Sequence, residues 1–217
     1  MARAALRGGR QPGDVRLVAV SKTYPIEYVR AAVAAGQREF GENRVQEALA
    51  KIASAPELDV HWHLIGHLQS NKARKAATSF ACIHSIDRVD LLDAVDRAAA
   101  GSGASPEVLV QVDLAGEPTK HGAAIDQLRA VVARAVDCRA VRLAGLMLLP
   151  PFCEDPEEVR PYFRRLRELR DELRGEGVPA GMLRELSMGM SHDFEVAIEE
   201  GATLVRVGTA IFGRRSP

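Results

Sequence analysis

Cysteine is scarce and unpaired: Cys82, Cys138 and Cys153 are scattered through 217 residues with no C-x-x-C spacing. That argues against a disulfide framework and leaves buried or idle thiols of a reducing compartment. Aromatic residues are few, 5%, beside 47% hydrophobic and 27% charged residues, the balance of an ordinary soluble protein with one substantial core. An excess of either charge is also missing, since 29 Lys and Arg offset 29 Asp and Glu. Nothing in the net charge draws the chain to nucleic acid or to an anionic membrane. Long apolar runs are absent too. The longest, residues 143–152, is interrupted by Gly145, Pro150 and Pro151 and falls far short of the roughly 20 residues that span a bilayer. The first fourteen residues carry arginines but no apolar core of a secretory signal. The expectation is one cytoplasmic domain over residues 1–217.

What the sequence does have is alternation. Short β-branched runs predict strands at 15–20, 39–41, 60–65, 81–86, 108–114, 142–148, 183–186 and 204–207. Helical spacing between them predicts helices at 25–35, 44–53, 71–78, 89–100, 124–136, 157–174 and 192–200. In the helix at 157–174, Val159, Tyr162, Phe163, Leu166, Leu169 and Leu173 lie on one stripe, and its many charges read as a solvated face. Pro161 is expected to kink or restart it. Eight strand–helix units without hairpin signals, in a chain above the ~200-residue lower limit, predict a (β/α)8 TIM barrel. The alternative is a doubly wound open sheet, which more often stops at about five or six strands.

In such a barrel the chemistry gathers at the carboxyl ends of the strands. Lys22, Asn43, His63, His84, Asp113, Met147, Ser187, Arg206, Gly208 and Thr209 all fall there. Parity puts Lys22 on the face of Val18 and Val20, and Arg206 on that of Leu204 and Gly208. A lysine in an apolar barrel mouth has a lowered pKa and suits Schiff-base chemistry, although Lys22 alone also reads as a surface lysine past a strand. Ser187-Met188-Gly189-Met190-Ser191 and Gly208-Thr209 occupy the places after strands seven and eight where this fold binds phosphate; they read equally as turns. His61, His63 and His67 have the spacing of a metal site but no acidic or cysteine companion nearby, so no metal is expected and His63 reads as a pocket or core residue. Trp62, of opposite parity, faces the helices. The loop at 116–122 reads as an exposed turn rather than a lid.

Taken together, the segments LVAVSKTYP (17–25), FGENRVQEA (40–48), WHLIGHLQSNK (62–72), IHSID (83–87), GEPTKHG (116–122), GLMLLPP (145–151) and LSMGMSHDFEVAIEEGATLVRVGTAIFG (186–213) resemble the pyridoxal phosphate homeostasis proteins, the YggS-like or PROSC-like family. The resemblance implies a barrel of the alanine-racemase N-terminal type (fold type III) and pyridoxal 5′-phosphate (PLP) as cofactor. It implies Lys22 as the Schiff-base lysine, Ser187, Met188, Gly189, Gly208 and Thr209 as the phosphate cradle, and Arg206 near the pyridine nitrogen. Asn43, His84 and Met147 match further pocket positions. The family's N-terminal helix is longer than the segment preceding Val15, so a shortened helix or a late-assigned start is expected. The implied role is a monomeric PLP carrier without substantial turnover, passing PLP transiently to apo-enzymes. The alternatives are a low-activity amino-acid racemase or, behind it, a Schiff-base aldolase or phosphosugar-binding barrel enzyme with Asp113 as its carboxylate.

Overall fold

In the computed structural model, which describes residues 1–116 and 121–213, eight parallel strands close on themselves in sequence order. They are β1 (Arg16–Val20), β2 (Glu39–Glu42), β3 (His61–Leu64), β4 (Cys82–Ile86), β5 (Glu107–Val112), β6 (Arg142–Leu148), β7 (Glu185–Met190) and β8 (Leu204–Val207). The helices are α1 (Ala2–Arg7), α2 (Ile26–Ala34), α3 (Val45–Ser54), α4 (Ala73–Ser79), α5 (Val89–Ser102), α6 (Ile125–Val136), α7 (Arg160–Gly175), α8 (Phe194–Glu199) and α9 (Thr209–Phe212). The expected TIM barrel is the observed one, and the β1–β8 pairing leaves no sheet edge.

Pro161 restarts its helix rather than kinking it: a 3₁₀ turn, Pro156–Val159, hands over to α7 with Pro161 in the first turn, where no amide hydrogen is needed. Phe163, Leu166, Leu169 and Leu173 are the buried stripe of α7. The six-residue α1 lies on α8, where Arg7 pairs with Glu195 at 2.6 Å and Glu199 at 2.7 Å.

One boundary differs with consequences for the site. β7 was expected at 183–186, but Ala180–Leu183 is a 3₁₀ turn and the strand runs through Glu185–Met190. Serine and glycine are weak strand formers, yet pairing with β6 on one side and β8 on the other holds them extended. Gly189 has φ +91, and a Cβ there would meet the Ala197 Cβ at 2.6 Å, so only glycine lets α8 pack this closely.

Inside the barrel sits a small apolar cluster of Val18, Cys82, Leu109, Ala144, Met147 and Leu204; the larger core, Phe40 and Trp62 included, lies between strands and helices. Charged side chains close the amino end of the strands. Arg16 pairs with Glu185 at 2.7 Å, Arg184 with Glu185 at 3.1 Å, and Glu39 meets His61 at 3.1 Å and His63 at 2.6 Å. Burial acts to raise the Glu39 pKa, but hydrogen bonds from His63 and His61 outweigh it and hold the group at about 2. A carboxyl depressed from 4.5 to about 2 stabilises the fold fully above the upper value and loses that contribution as pH falls through the lower one. Glu39→Gln is expected to remove an acid-sensitive contribution on the order of 3 kcal/mol. Thermal unfolding followed between pH 4.5 and 2 should show a shallower loss of Tm in the variant, and identical acid limbs would contradict this assignment.

Candidate functional site

A cavity of about 470 Å³ opens at the carboxyl ends of the strands. Val20, Ile65, Leu149 and Met190 give it apolar walls, and Lys22, Asn43, Gln111, Ser191, Arg206 and Thr209 bring donors to it. His67, His121 and His192 stand at the same wall. No carboxylate lies among its described lining residues, while Lys22 and Arg206 both do, so its potential favours an anionic ligand. Five of the expected site residues, Lys22, Asn43, Arg206, Gly208 and Thr209, thus share one cavity.

Lys22 rides on a turn just past β1, closed by the Tyr24 amide donating to the Ser21 carbonyl at 3.1 Å. Thr23 follows with φ +67, a left-handed conformation that costs a β-branched residue on the order of 1–3 kcal/mol. A buried cluster behind the turn holds it there. Lys51 Nζ donates to the Ser21 carbonyl and to Glu42 Oε1, both at 2.6 Å, and lies 3.2 Å from Glu47 Oε1. Ser21 Oγ also donates to Glu42 Oε1 at 2.6 Å, and the Thr23 amide donates to the Glu47 carboxylate. Burial raises the Glu42 pKa against the opposing hydrogen bonds from Lys51 and Ser21. In front, Tyr24 packs on Phe212 with ring centroids 5.2 Å apart, and its hydroxyl donates to the Gly213 carbonyl at 2.6 Å, fastening α9 to the lysine turn.

Arg206 reaches the cavity from β8 but is 3% exposed. Its Nη1 donates to Ser187 Oγ at 2.6 Å and its Nη2 to the Leu148 carbonyl at 2.8 Å. Burial lowers its pKa to about 10, so it stays charged at neutral pH. The remaining expected site residues are not on the cavity wall. Ser187, His84 and Met147 are fully buried inside the barrel beneath it, because β7 runs on past Ser187 and keeps that side chain inward. Met188 points to the helix-facing core, and Gly189 packs against α8. The hydroxyl that does line the cavity from this segment is Ser191, whose Oγ accepts the Gly208 amide at 3.2 Å and so joins the loops after β7 and β8. It closes the same S-M-G-M-S motif that drew attention to Ser187.

Asp113 is not a mouth carboxylate. Its Oδ1 accepts the Ala115 and Gly116 amides at 3.0 and 2.9 Å and shapes the loop after β5. Residues 117–120 of the GEPTKHG segment lie outside the described residues. His61, His63 and His67 do not converge: His61 sits at the amino end of the barrel, His63 is buried and His67 lines the cavity. His67, Asp87 and His121 have ligand atoms within 4.8 Å of one another. Yet the two imidazoles stack at 3.6 Å with planes 15° apart, so their lone pairs lie in parallel planes instead of meeting at one ion.

The sequence profile of the alanine racemase N-terminal domain matches residues 4–216, which places the chain in the class of racemase-type barrels. The chain belongs to the pyridoxal phosphate homeostasis protein family. It is 46% identical to the pyridoxal phosphate homeostasis protein of Aquifex aeolicus over 98% of this chain and 92% of that one. PipY of Synechococcus elongatus, solved without PLP, superposes with a TM-score of 0.89 at 46% identity and covers 98% of both chains. The structure of PipY with PLP bound gives 0.88 at 44% identity, covering 97% of this chain and 100% of that one.

The cluster behind the lysine turn predicts a stability effect. Lys51→Met strands the Glu42 carboxylate in the interior and is expected to cost about 3–5 kcal/mol in urea unfolding. The double variant Lys51→Met, Glu42→Leu should recover a large part of it. A single variant as stable as the parent would show that the pair does not hold the turn.

Proposed function

We propose that this chain is a PLP carrier of intracellular homeostasis, holding the cofactor on Lys22 as one 1–217 binding domain. The observation that carries this is the donor set around one cavity: a primary amine, a guanidinium, two hydroxyls and no carboxylate among the described lining residues. An aldehyde needs the amine, and a dianionic phosphate needs hydroxyl and amide donors in a positive field. The apolar side chains of Val20, Ile65, Leu149 and Met190 suit the faces of an aromatic ring. The fit is thus chemical as well as familial, since PipY is a relative solved with PLP bound.

Within this reading Lys22 supplies the amine, and its turn keeps that amine at the mouth. Ser191, Gly208 and Thr209 take the phosphate in place of Ser187, and Asn43 contributes an amide to the same wall. Arg206 serves the ring nitrogen. Bound PLP supplies an electrophilic carbon and an electron sink, and a fixed guanidinium at the ring nitrogen weakens that sink by disfavouring its protonation. That favours storage over turnover. The carrier acts as a cytoplasmic monomer and passes PLP to apo-enzymes by transient contact. Among the described residues no helix is long and apolar enough to cross a membrane.

Incubation of the protein with PLP followed by borohydride should fix the cofactor on the peptide that contains Lys22, as read by mass spectrometry. Lys22→Ala should take up none covalently. An adduct mapped elsewhere, or no adduct at all, would overturn the proposal. Ser191→Ala or Thr209→Ala should weaken PLP binding by about tenfold or more, the worth of a charge-assisted hydrogen bond, and hardly affect pyridoxal. Equal losses for the two ligands would remove these hydroxyls from the phosphate site.

A further inference from the structure

Five polar side chains form one unbroken line through the middle of the barrel. It starts at Arg206 under the cavity and ends at Glu39 at the amino end of the strands. Arg206 Nη1 lies 2.6 Å from Ser187 Oγ, and Ser187 Oγ lies 2.8 Å from His84 Nδ1. His84 Nε2 is 2.8 Å from His63 Nδ1, and His63 Nε2 is 2.6 Å from Glu39 Oε2. We propose that this line is a one-way hydrogen-bond chain that sets Arg206 for the cavity, with His84 and His63 as neutral rings both protonated on Nε2.

The direction follows from the two ends. Arginine has only donors, so Ser187 Oγ must accept from it. An ionised Glu39 has only acceptors, so His63 Nε2 must carry a proton. A neutral imidazole holds one proton, which leaves His63 Nδ1 as an acceptor and requires His84 Nε2 to donate. His84 Nδ1 is then an acceptor in turn, and the Ser187 hydroxyl hydrogen goes to it. All four links close with one donor and one acceptor each. With neutral rings, reversing either histidine link sets two hydrogens or two lone pairs face to face, and reversing the Ser187 link takes the proton from His84 Nε2 and leaves two lone pairs facing at the 2.8 Å contact with His63. Neutrality of His84 has independent support, because burial, with His63 and Arg206 next to it, drives its pKa well below the usual histidine value.

The chain explains how a cation can be buried without a carboxylate in contact. Among the described residues no ion pair is made by Arg206; Asp193 acts on it only through the field. The carboxylate at the far end of the line is Glu39, reached through three dipoles aligned in one sense and shared there with Arg16 at 3.7 Å. Nη1 and Nη2 are fixed by Ser187 and Leu148, so the guanidinium cannot turn, and its cationic character is not spent on an adjacent acid. Ser187, His84, His63 and Glu39 are therefore positioning residues for Arg206. The role of Arg206 toward the ring rests on the proposed PLP reading; the chain itself does not.

The test has two arms. In cofactor-free, ¹⁵N-labelled protein at neutral pH, two-bond nitrogen–proton correlations should show His63 and His84 both as neutral rings with the proton on Nε2. Glu39→Gln, whose carboxamide oxygen can still accept, should retain both patterns, and Ser187→Ala should shift His84 Nδ1 as its donor is lost. A proton on Nδ1 of either ring, or an imidazolium, overturns the chain whether or not PLP binds. In the second arm Ser187→Ala should weaken PLP and pyridoxal by the same factor, about tenfold, since Arg206 meets the part that both ligands share. Loss confined to PLP would make Ser187 a phosphate contact, and no loss for either would show that Arg206 is not set from behind; both contradict the proposal.

Discussion

Arg206 enters from β8 with its guanidinium almost wholly removed from water, and burying that cation constrains the whole interior of the barrel. An isolated charge in a low-dielectric core costs several kcal/mol unless its hydrogens find acceptors. A barrel of eight strands has room inside for few side chains, and among the described residues its buried apolar cluster is small. The remaining space is given to Ser187, His84 and His63, each of which would be a liability alone. Matched in series they satisfy one another and pass the charge balance to the ring of acids and arginines at the amino end.

The lysine side of the cavity solves a related problem from outside the barrel. Lys22 stands on a turn that Thr23 can enter only in a left-handed conformation, and such a turn relaxes unless its surroundings over-determine it. Glu42, Lys51 and Glu47 do so from β2 and α3, binding both the carbonyl before Lys22 and the amide after it. Two buried ionic assemblies thus flank one cavity, one under the arginine and one behind the lysine. Each fixes a cation whose position, on the proposed reading, decides how the cofactor sits. Between them, Val20, Ile65, Leu149 and Met190 give the cavity its apolar wall, and no acid lines it among the described residues.

How much of this could be read from the sequence differs between the two assemblies. The closed eight-stranded barrel was legible from alternation, and parity alone placed Lys22 and Arg206 toward one cavity. Ser187 was legible as a candidate, but the structure places it inside a strand that runs on past it. Leu183 and Leu186 drew the strand to an end four residues short of Met190, whereas serine and glycine at 187–190 gave no strand signal although two neighbouring strands hold them extended. That slip put Ser187 in the loop after the strand, and Ser191 was named only as the end of the same segment. His84 and His63 showed only as histidines near the ends of adjacent strands; the link of His84 to Ser187 joins β4 to β7 across the barrel interior and has no signal in the sequence. Lys51 was invisible, because an i, i+4 pair with Glu47 looks like an ordinary exposed helix pair until β2 and the lysine turn cover it.

The central claim is that Lys22 and the Ser191–Thr209 side of the cavity hold one PLP molecule, with Arg206 presented to it from within the barrel. A crystal structure of the protein grown with PLP tests it most directly. The account predicts density continuous with Lys22 Nζ, phosphate oxygens within hydrogen-bond distance of Ser191 and Thr209, and Ser187 still bonded to His84 and Arg206. Cofactor bound away from Lys22, or a phosphate seated on Ser187 with the interior chain broken, would contradict it.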